Sequence, residues 1–170
     1  HTCFVSARET PRLPAFADAL GLPSSAADVT SSAEVDRVFA EALSRLGRLD
    51  AVALCVGSIL LKPAHQTTDA EWNETLQLNL ASAFFVTRAA ARAMQANGGS
   101  VALVSTCAAR VGLPNHEAIA AAKAGVEGLV RSAAATYAPR NIRFNAIAPG
   151  LVDTPLAARI TSNEMALKAS

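Results

Sequence analysis

The segment PNHEAIAAAKAGVEGL sets one lysine, Lys123, in a run of alanines. One helical turn earlier stands Ile119, so that position offers the cation no polar partner. His116 lies two turns before Lys123, about 10 Å along a helix axis and on nearly the same face. An imidazole can give or take a proton near neutral pH, which makes His116 a candidate proton donor. The two-turn gap argues against its working directly with the lysine. The blander role for PNHE is a helix entry, with Asn115 capping, His116 solvated and Glu117 pointing about 100° away. The only tyrosine, Tyr137, falls about four turns beyond Lys123. Upstream, the run SVALVST ends in two hydroxyls, Ser105 and Thr106. A threonine hydroxyl there can donate to a carbonyl oxygen, and it can equally do no more than end a strand. Together these groups could give, take or hold a proton.

Apolar strands alternating with helical patterns must position them. TCFVSA reads as a strand, PRLPAFADAL as a helix, and SSAADV as a short extended piece containing Asp28. TSSAEVDRVFAEALSRLG opens with a capping box, Ser31 and Glu34, and stops at Gly47. LDAVALCVG is a strand, followed by a long helix from about Asp69 to Met94 that NGG stops. SVALVS is the next strand. The helix of Lys123 runs to about Tyr137, and IRFNAIAPG is the last strand. This order predicts a parallel sheet covered on both faces. Ligands in such sheets sit at the carboxyl ends of the strands. The unusual residues gather at those ends: Arg8, Asp28, Gly57, Ser105–Thr106 and Pro149–Gly150.

The 170 residues fit one domain, 1–170, with 51% apolar residues and a net charge of +1. That charge has no block of one sign, so no footprint of nucleic acid or membrane surface is present. Neither a membrane span nor a signal-peptide pattern is expected. Cys3, Cys55 and Cys107 have no metal-ligand spacing, and no metal site is expected. Cys3 and Cys55 lie in apolar runs and read as buried. Unpaired cysteines point to a reducing, cytoplasmic compartment.

The segments SAR, ADV, LDAVALCVG, WNETLQLNL, VALVST, AAAKAG and IRFNAIAPGLVDT, in this order and spacing, resemble the short-chain dehydrogenase/reductase family. The resemblance runs from Thr2 to about Pro155. It implies an α/β, Rossmann-like, doubly wound parallel sheet. It also implies hydride transfer between a carbonyl or alcohol substrate and a nicotinamide cofactor. By this likeness Lys123 is the lysine that grips the nicotinamide ribose, and Asn79 is the asparagine that holds a relay water. Thr106, with Ser105 beside it, takes the carbonyl-polarising position. Arg8 stands where a 2′-phosphate is read, so NADP(H) is favoured over NAD(H). Asp28 and Val29 flank the adenine, Gly57 remains of the family's NNAG, and Pro149, Gly150, Val152 and Thr154 lie beside the carboxamide. The likeness further implies a homodimer or homotetramer through the helices 69–96 and 115–138, and a substrate lid over 155–170.

The family's tyrosine position is Ile119, which can donate nothing. Losing a general acid costs about 10²–10⁴-fold in rate, so turnover should be poor unless another group replaces it. Ile119 also fits an apolar stripe with Ala122, Val126, Leu129, Ala133 and Tyr137. Gly125 and Gly128 read as helix packing. The family's first strand, glycine-rich turn and first helix have no counterpart here, so the chain is expected to be an incomplete copy of a longer one, with two strands facing a gap. Three functions follow: an NADP-preferring oxidoreductase, a cofactor-binding sensor without turnover, or a structural dimerisation subunit.

Overall fold

The computed structural model describes residues 2–161. The chain alternates β1 (Val5–Ala7), α1 (Arg12–Leu20), β2 (Ser24–Ala26), α2 (Ser32–Leu46) and β3 (Ala51–Leu54). Then follow α3 (Asp69–Leu76), a π turn over Gln77–Ala81, α4 (Ser82–Ala93), β4 (Gly99–Val104), α5 (Glu117–Tyr137) and β5 (Ile142–Ile147). Every strand pairing is parallel, as expected of strands joined through helices.

The sheet is in two pieces. β1 pairs only with β2, and β3–β4–β5 form a separate three-stranded sheet. β1 and β3 therefore each keep an unpaired edge, the gap anticipated from the sequence. Side chains tie the outer pieces together where no ladder does. Arg37 of α2 donates to Ser25 Oγ at 2.9 Å and to the carbonyl of Ala26, and Gln77 Nε2 donates to the carbonyl of Thr30 at 2.9 Å.

The two faces of the β3–β4–β5 sheet differ. Register places Val101, Leu103, Ile142 and Phe144 on one face, all 5% exposed or less, beneath Val86, Ala90, Val126 and Val130 of α4 and α5. On the opposite face Ala51, Ala53, Arg143, Asn145 and Ile147 are exposed. Side chains alternate along a strand, and the helices between β3 and β5 pack on a single side. Cys3 and Cys55, expected to be buried, are exposed. Cys55 follows buried Leu54 and so falls on the open side.

Local chemistry explains the helix boundaries. Ser31 Oγ accepts from the Glu34 amide at 3.4 Å, but Glu34 reaches the Asp28 amide at 2.8 Å instead of completing the capping box. A full box forms at α3, where Thr68 and Glu71 satisfy each other's amides. The long helix of residues 69–94 carries a π turn, a feature concentrated at functional sites, and it contains Asn79. At α5, Gly125 lets the helix close on Leu80, because a Cβ there would stand 2.9 Å from Leu80 Cδ2. Gly128 has nothing nearer than 3.8 Å, so close packing explains only the first of the pair.

Candidate active site

One cavity of about 540 Å³ opens at the carboxyl ends of β3, β4 and β5. Its apolar wall is built from Ile59, Leu61, Leu113, Ile119 and Leu156. Gly57, Ser105, Thr106, His116, Lys123, Pro149, Gly150, Val152 and Thr154, all singled out in the sequence, line the same cavity. Arg8, Asp28 and Val29 lie apart, at the ends of β1 and β2.

Lys123 is 7% exposed and donates from Nζ to the carbonyl of Val104 at 2.8 Å, at the last residue of β4. Burial pushes its ammonium below the ordinary lysine range. Asn79, 2% exposed, is held on three sides. Its Oδ1 accepts from the Ser58 amide at 3.1 Å, and its Nδ2 donates to Ser58 Oγ and to the Thr75 carbonyl, both at 3.0 Å. Gly57 is required between them. A Cβ at this position would stand 2.9 Å from Asn79 Oδ1 and 3.3 Å from Lys123 Nζ.

Thr106, two residues beyond β4, is in extended conformation, its Oγ1 accepting from the Ala108 amide at 3.4 Å. An acceptor bond leaves the hydroxyl proton free to donate into the cavity. Ser105 behaves differently. It is 3% exposed, and its hydroxyl lies 3.0 Å from Glu127 Oε1 and 3.3 Å from the Lys123 carbonyl. A hydroxyl has one proton, so that of Ser105 is committed to α5 and its part is to hold the strand end.

Glu127 is a residue that the sequence reading did not select. Its side chain is 7% exposed, and its Oε2 accepts from Arg110 Nε at 2.8 Å. The Arg110 hydrogen bond, followed by burial in opposition and then the Ser105 hydroxyl, leaves its carboxyl below the ordinary value of 4.5. A glutamate one turn after Lys123 was visible in the sequence, but its partners come from another element. A second fastening joins Lys62 Nζ to both oxygens of Glu71 at 2.8 Å, while the Lys62 amide donates to the Asn115 carbonyl at 2.8 Å. It pins the wall segment carrying Ile59 and Leu61 against the entry of α5.

His116 is half-buried and occupies the N-cap position without a side-chain cap, and Asn115 takes a left-handed φ of 63°. The expected Asn115 cap is therefore not formed. The turn directs Asn115 backbone to Lys62 and the imidazole toward Pro114. His116 Nδ1 lies 2.7 Å from the Pro114 carbonyl, which can only accept, so Nδ1 carries a proton. In the neutral ring Nε2 is then an acceptor, and only the imidazolium can donate from it. Ile119 is 4% exposed and places its apolar side chain where the cavity meets α5. Tyr137 packs on Phe144, ring centroids 5.7 Å apart, at the far end of α5.

The groups fit the two ends of a nicotinamide dinucleotide. Gly57, Asn79 and Lys123 form a cradle too tight for any side chain at position 57. Arg8 is exposed at the end of β1, near Asp28, whose carboxylate accepts from the Thr30 amide and hydroxyl at 2.8 and 2.7 Å. Those bonds from Thr30, with Arg8 adding a smaller share, lower the Asp28 carboxyl. Among the described residues no glycine-rich turn offers amides to a pyrophosphate. The lid expected over 155–170 is described only to Thr161, where Leu156 and Ala157 line the cavity, and the remainder lies outside the described residues. Within the described residues no helix is long and apolar enough to cross a membrane.

A family model described as "Enoyl-(Acyl carrier protein) reductase" matches residues 2–170. The chain is 40% identical over 131 residues to "Hydroxynaphthalene reductase-like protein Arp2" of Metarhizium majus, covering 76% of this chain and 49% of that one. It is 37% identical over 145 residues to "Cis-4-hydroxycyclohexanecarboxylate dehydrogenase" of Sinomonas cyclohexanicum, covering 84% of this chain and 58% of that one. A solved short-chain dehydrogenase/reductase from Mycobacterium ulcerans superposes with a TM-score of 0.92 at 27% identity, over 97% of this chain and 64% of that one. The chain thus spans about half the length of the curated relatives it matches. With the parallel strands, the α5 lysine and the cavity at their carboxyl ends, these matches place the chain in the short-chain dehydrogenase/reductase family.

Proposed function

We propose that the protein interconverts a carbonyl and an alcohol as an NADP-preferring oxidoreductase. The observation that carries this reading is the convergence of Thr106, His116 and Lys123 on one apolar cavity, beside the Gly57–Asn79 cradle. A bound nicotinamide supplies the hydride. Lys123 holds the ribose, and Pro149, Gly150, Val152 and Thr154 border the carboxamide. Thr106 donates its hydroxyl proton in a hydrogen bond to the substrate oxygen. His116, as imidazolium, delivers the proton from Nε2, and the neutral ring accepts it in the reverse direction. Asn79, fixed by Ser58 and Thr75, holds the water through which protons exchange with solvent. Arg8 reads the 2′-phosphate, and Asp28 with Val29 borders the adenine.

The names of the relatives suggest cyclic substrates, and the apolar wall suits the ring that bears the carbonyl. Exposed Trp72 and Phe84 on α3 and α4 support pairing through these helices and α5 in a homo-oligomer. The reducing cytoplasm suits three free cysteines.

Fluorescence titration of this chain with NADPH and NADH, with circular dichroism on the same sample, tests the reading. Saturable binding that favours NADPH and weakens in Arg8→Ala supports it. A folded protein that binds neither nucleotide refutes it. Ile119 favours a second reading, a cofactor-binding sensor. NADPH binding without carbonyl turnover, unchanged by His116→Ala, would select it.

A further inference from the structure

Ile59 and Leu61 belong to the apolar wall of the cavity, yet neither lies in a strand or helix. Residues 55–63 run on from β3 as irregular chain, with no ladder to fix them. Two brackets hold this stretch instead. At the first, the Ser58 amide donates to Asn79 Oδ1 at 3.1 Å, and Ser58 Oγ accepts from Asn79 Nδ2 at 3.0 Å. At the second, the Lys62 amide donates to the Asn115 carbonyl at 2.8 Å, and Lys62 Nζ donates to both oxygens of Glu71 at 2.8 Å. Between the brackets lie only Ile59, Leu60 and Leu61, and the first and third of these line the cavity.

Glu71 is a firm anchor, because it stands in the first turn of α3 and closes the capping box with Thr68. Lys62 therefore ties the wall to the start of α3 and to the entry of α5, where Asn115 precedes His116. The paired side chains are 30% and 35% exposed, so the pair adds little to global stability. Its effect is local, because an irregular segment has few other restraints. Lys62 does not itself line the cavity, so it acts through the wall.

We propose that Lys62 is a positioning residue for the substrate. Paired with Glu71, it holds Ile59 and Leu61 where an apolar ring rests on them while its carbonyl reaches Thr106 and His116. The inference rests on the oxidoreductase reading in taking the occupant of the cavity to be a ring that bears a carbonyl.

The test titrates the 170-residue protein with 1-tetralone, an apolar bicyclic ketone, and follows the methyl NMR signals of Ile59 and Leu61. Lys62→Met keeps the aliphatic stem and removes the charge. It should raise Kd about three- to fivefold, the upper range for a partly exposed ion pair. Glu71→Gln, whose side chain can still complete the cap, should do the same. Lys62→Arg should bind as the parent does, because a guanidinium also meets both carboxylate oxygens. Thr68→Ala removes the cap hydroxyl but leaves the pair in place, and should not change Kd. With NADPH present, Lys62→Met should raise KM for 1-tetralone by the same factor and leave kcat as it was. An unchanged Kd in Lys62→Met, with a folded circular dichroism spectrum, overturns the proposal. So does an equal rise in Thr68→Ala, or a parent in which 1-tetralone shifts neither Ile59 nor Leu61. Reduction of 1-tetralone that Lys62→Met leaves untouched removes this inference alone. Lys62-dependent binding without any binding of NADPH keeps it and removes the oxidoreductase reading.

Discussion

Glu127→Ala is the substitution whose consequences the structure specifies most closely. The carboxylate serves two partners of different worth. Arg110 is 69% exposed and returns to water when released, so its share is about 1 kcal/mol or less. Ser105, 3% exposed, keeps only its longer 3.3 Å approach to the Lys123 carbonyl. A hydrogen bond to a charged group contributes about 1.5–3 kcal/mol, and this one lies in the interior. The expected loss is therefore about 3 kcal/mol, dominated by Ser105. Glu127→Gln keeps an acceptor for Ser105 and should lose only about 1 kcal/mol. Urea unfolding followed by circular dichroism measures both, and a cycle with Ser105→Ala should return a coupling of about 2 kcal/mol. Hydrogen exchange at the amides of residues 105–109 should speed up in Glu127→Ala, because the end of β4 loses its fastening to α5. Equal losses in the Ala and Gln variants would mean that the ion pair dominates and would refute the argument. Losses below about 0.5 kcal/mol in both would show that the carboxylate fastens nothing.

Further outcomes can be checked independently. Gly57→Ala should displace Asn79 and Lys123, destabilise by about 1–3 kcal/mol, and weaken NADPH binding in a fluorescence titration. The Glu71 carboxyl, held by Lys62 first and by Thr68 next, titrates at about 2 instead of 4.5. The folded value is the lower one, so its contribution is present above about 4.5 and is lost as pH falls toward 2. NMR titration of its side-chain carboxyl should find that low midpoint, and Lys62→Met should raise it. Glu127 has the same sign, so acid unfolding should begin at higher pH in Arg110→Met than in the parent. Ile119→Tyr should raise the rate of carbonyl reduction about tenfold or more, measured as NADPH consumption. An unchanged rate would mean that the proton is already supplied by another group.

The alternation of apolar runs with helical periodicity was enough to place the elements, because each follows from local pattern. α5 begins at Glu117 and ends at Tyr137, where the stripe from Ile119 to Tyr137 predicts it, and β5 lies within IRFNAIAPG. Chemistry-bearing residues at strand ends were legible for the same reason. A parallel sheet brings all its carboxyl ends to one side, so Gly57, Thr106 and Gly150 had to converge. What local pattern cannot carry is which groups from distant elements meet. Glu127 takes its two partners, Ser105 and Arg110, from the segment after β4, and this alone assigns Ser105 to fastening and leaves Thr106 facing the cavity. The exposure of Cys3 and Cys55 likewise depends on which strands lie beside them, since an apolar run reads the same with or without a neighbour. Residue types thus determine what each position can donate, accept or bury. Tertiary structure decides whether its partner is a side chain, the cavity or water, because those contacts join residues far apart in the chain.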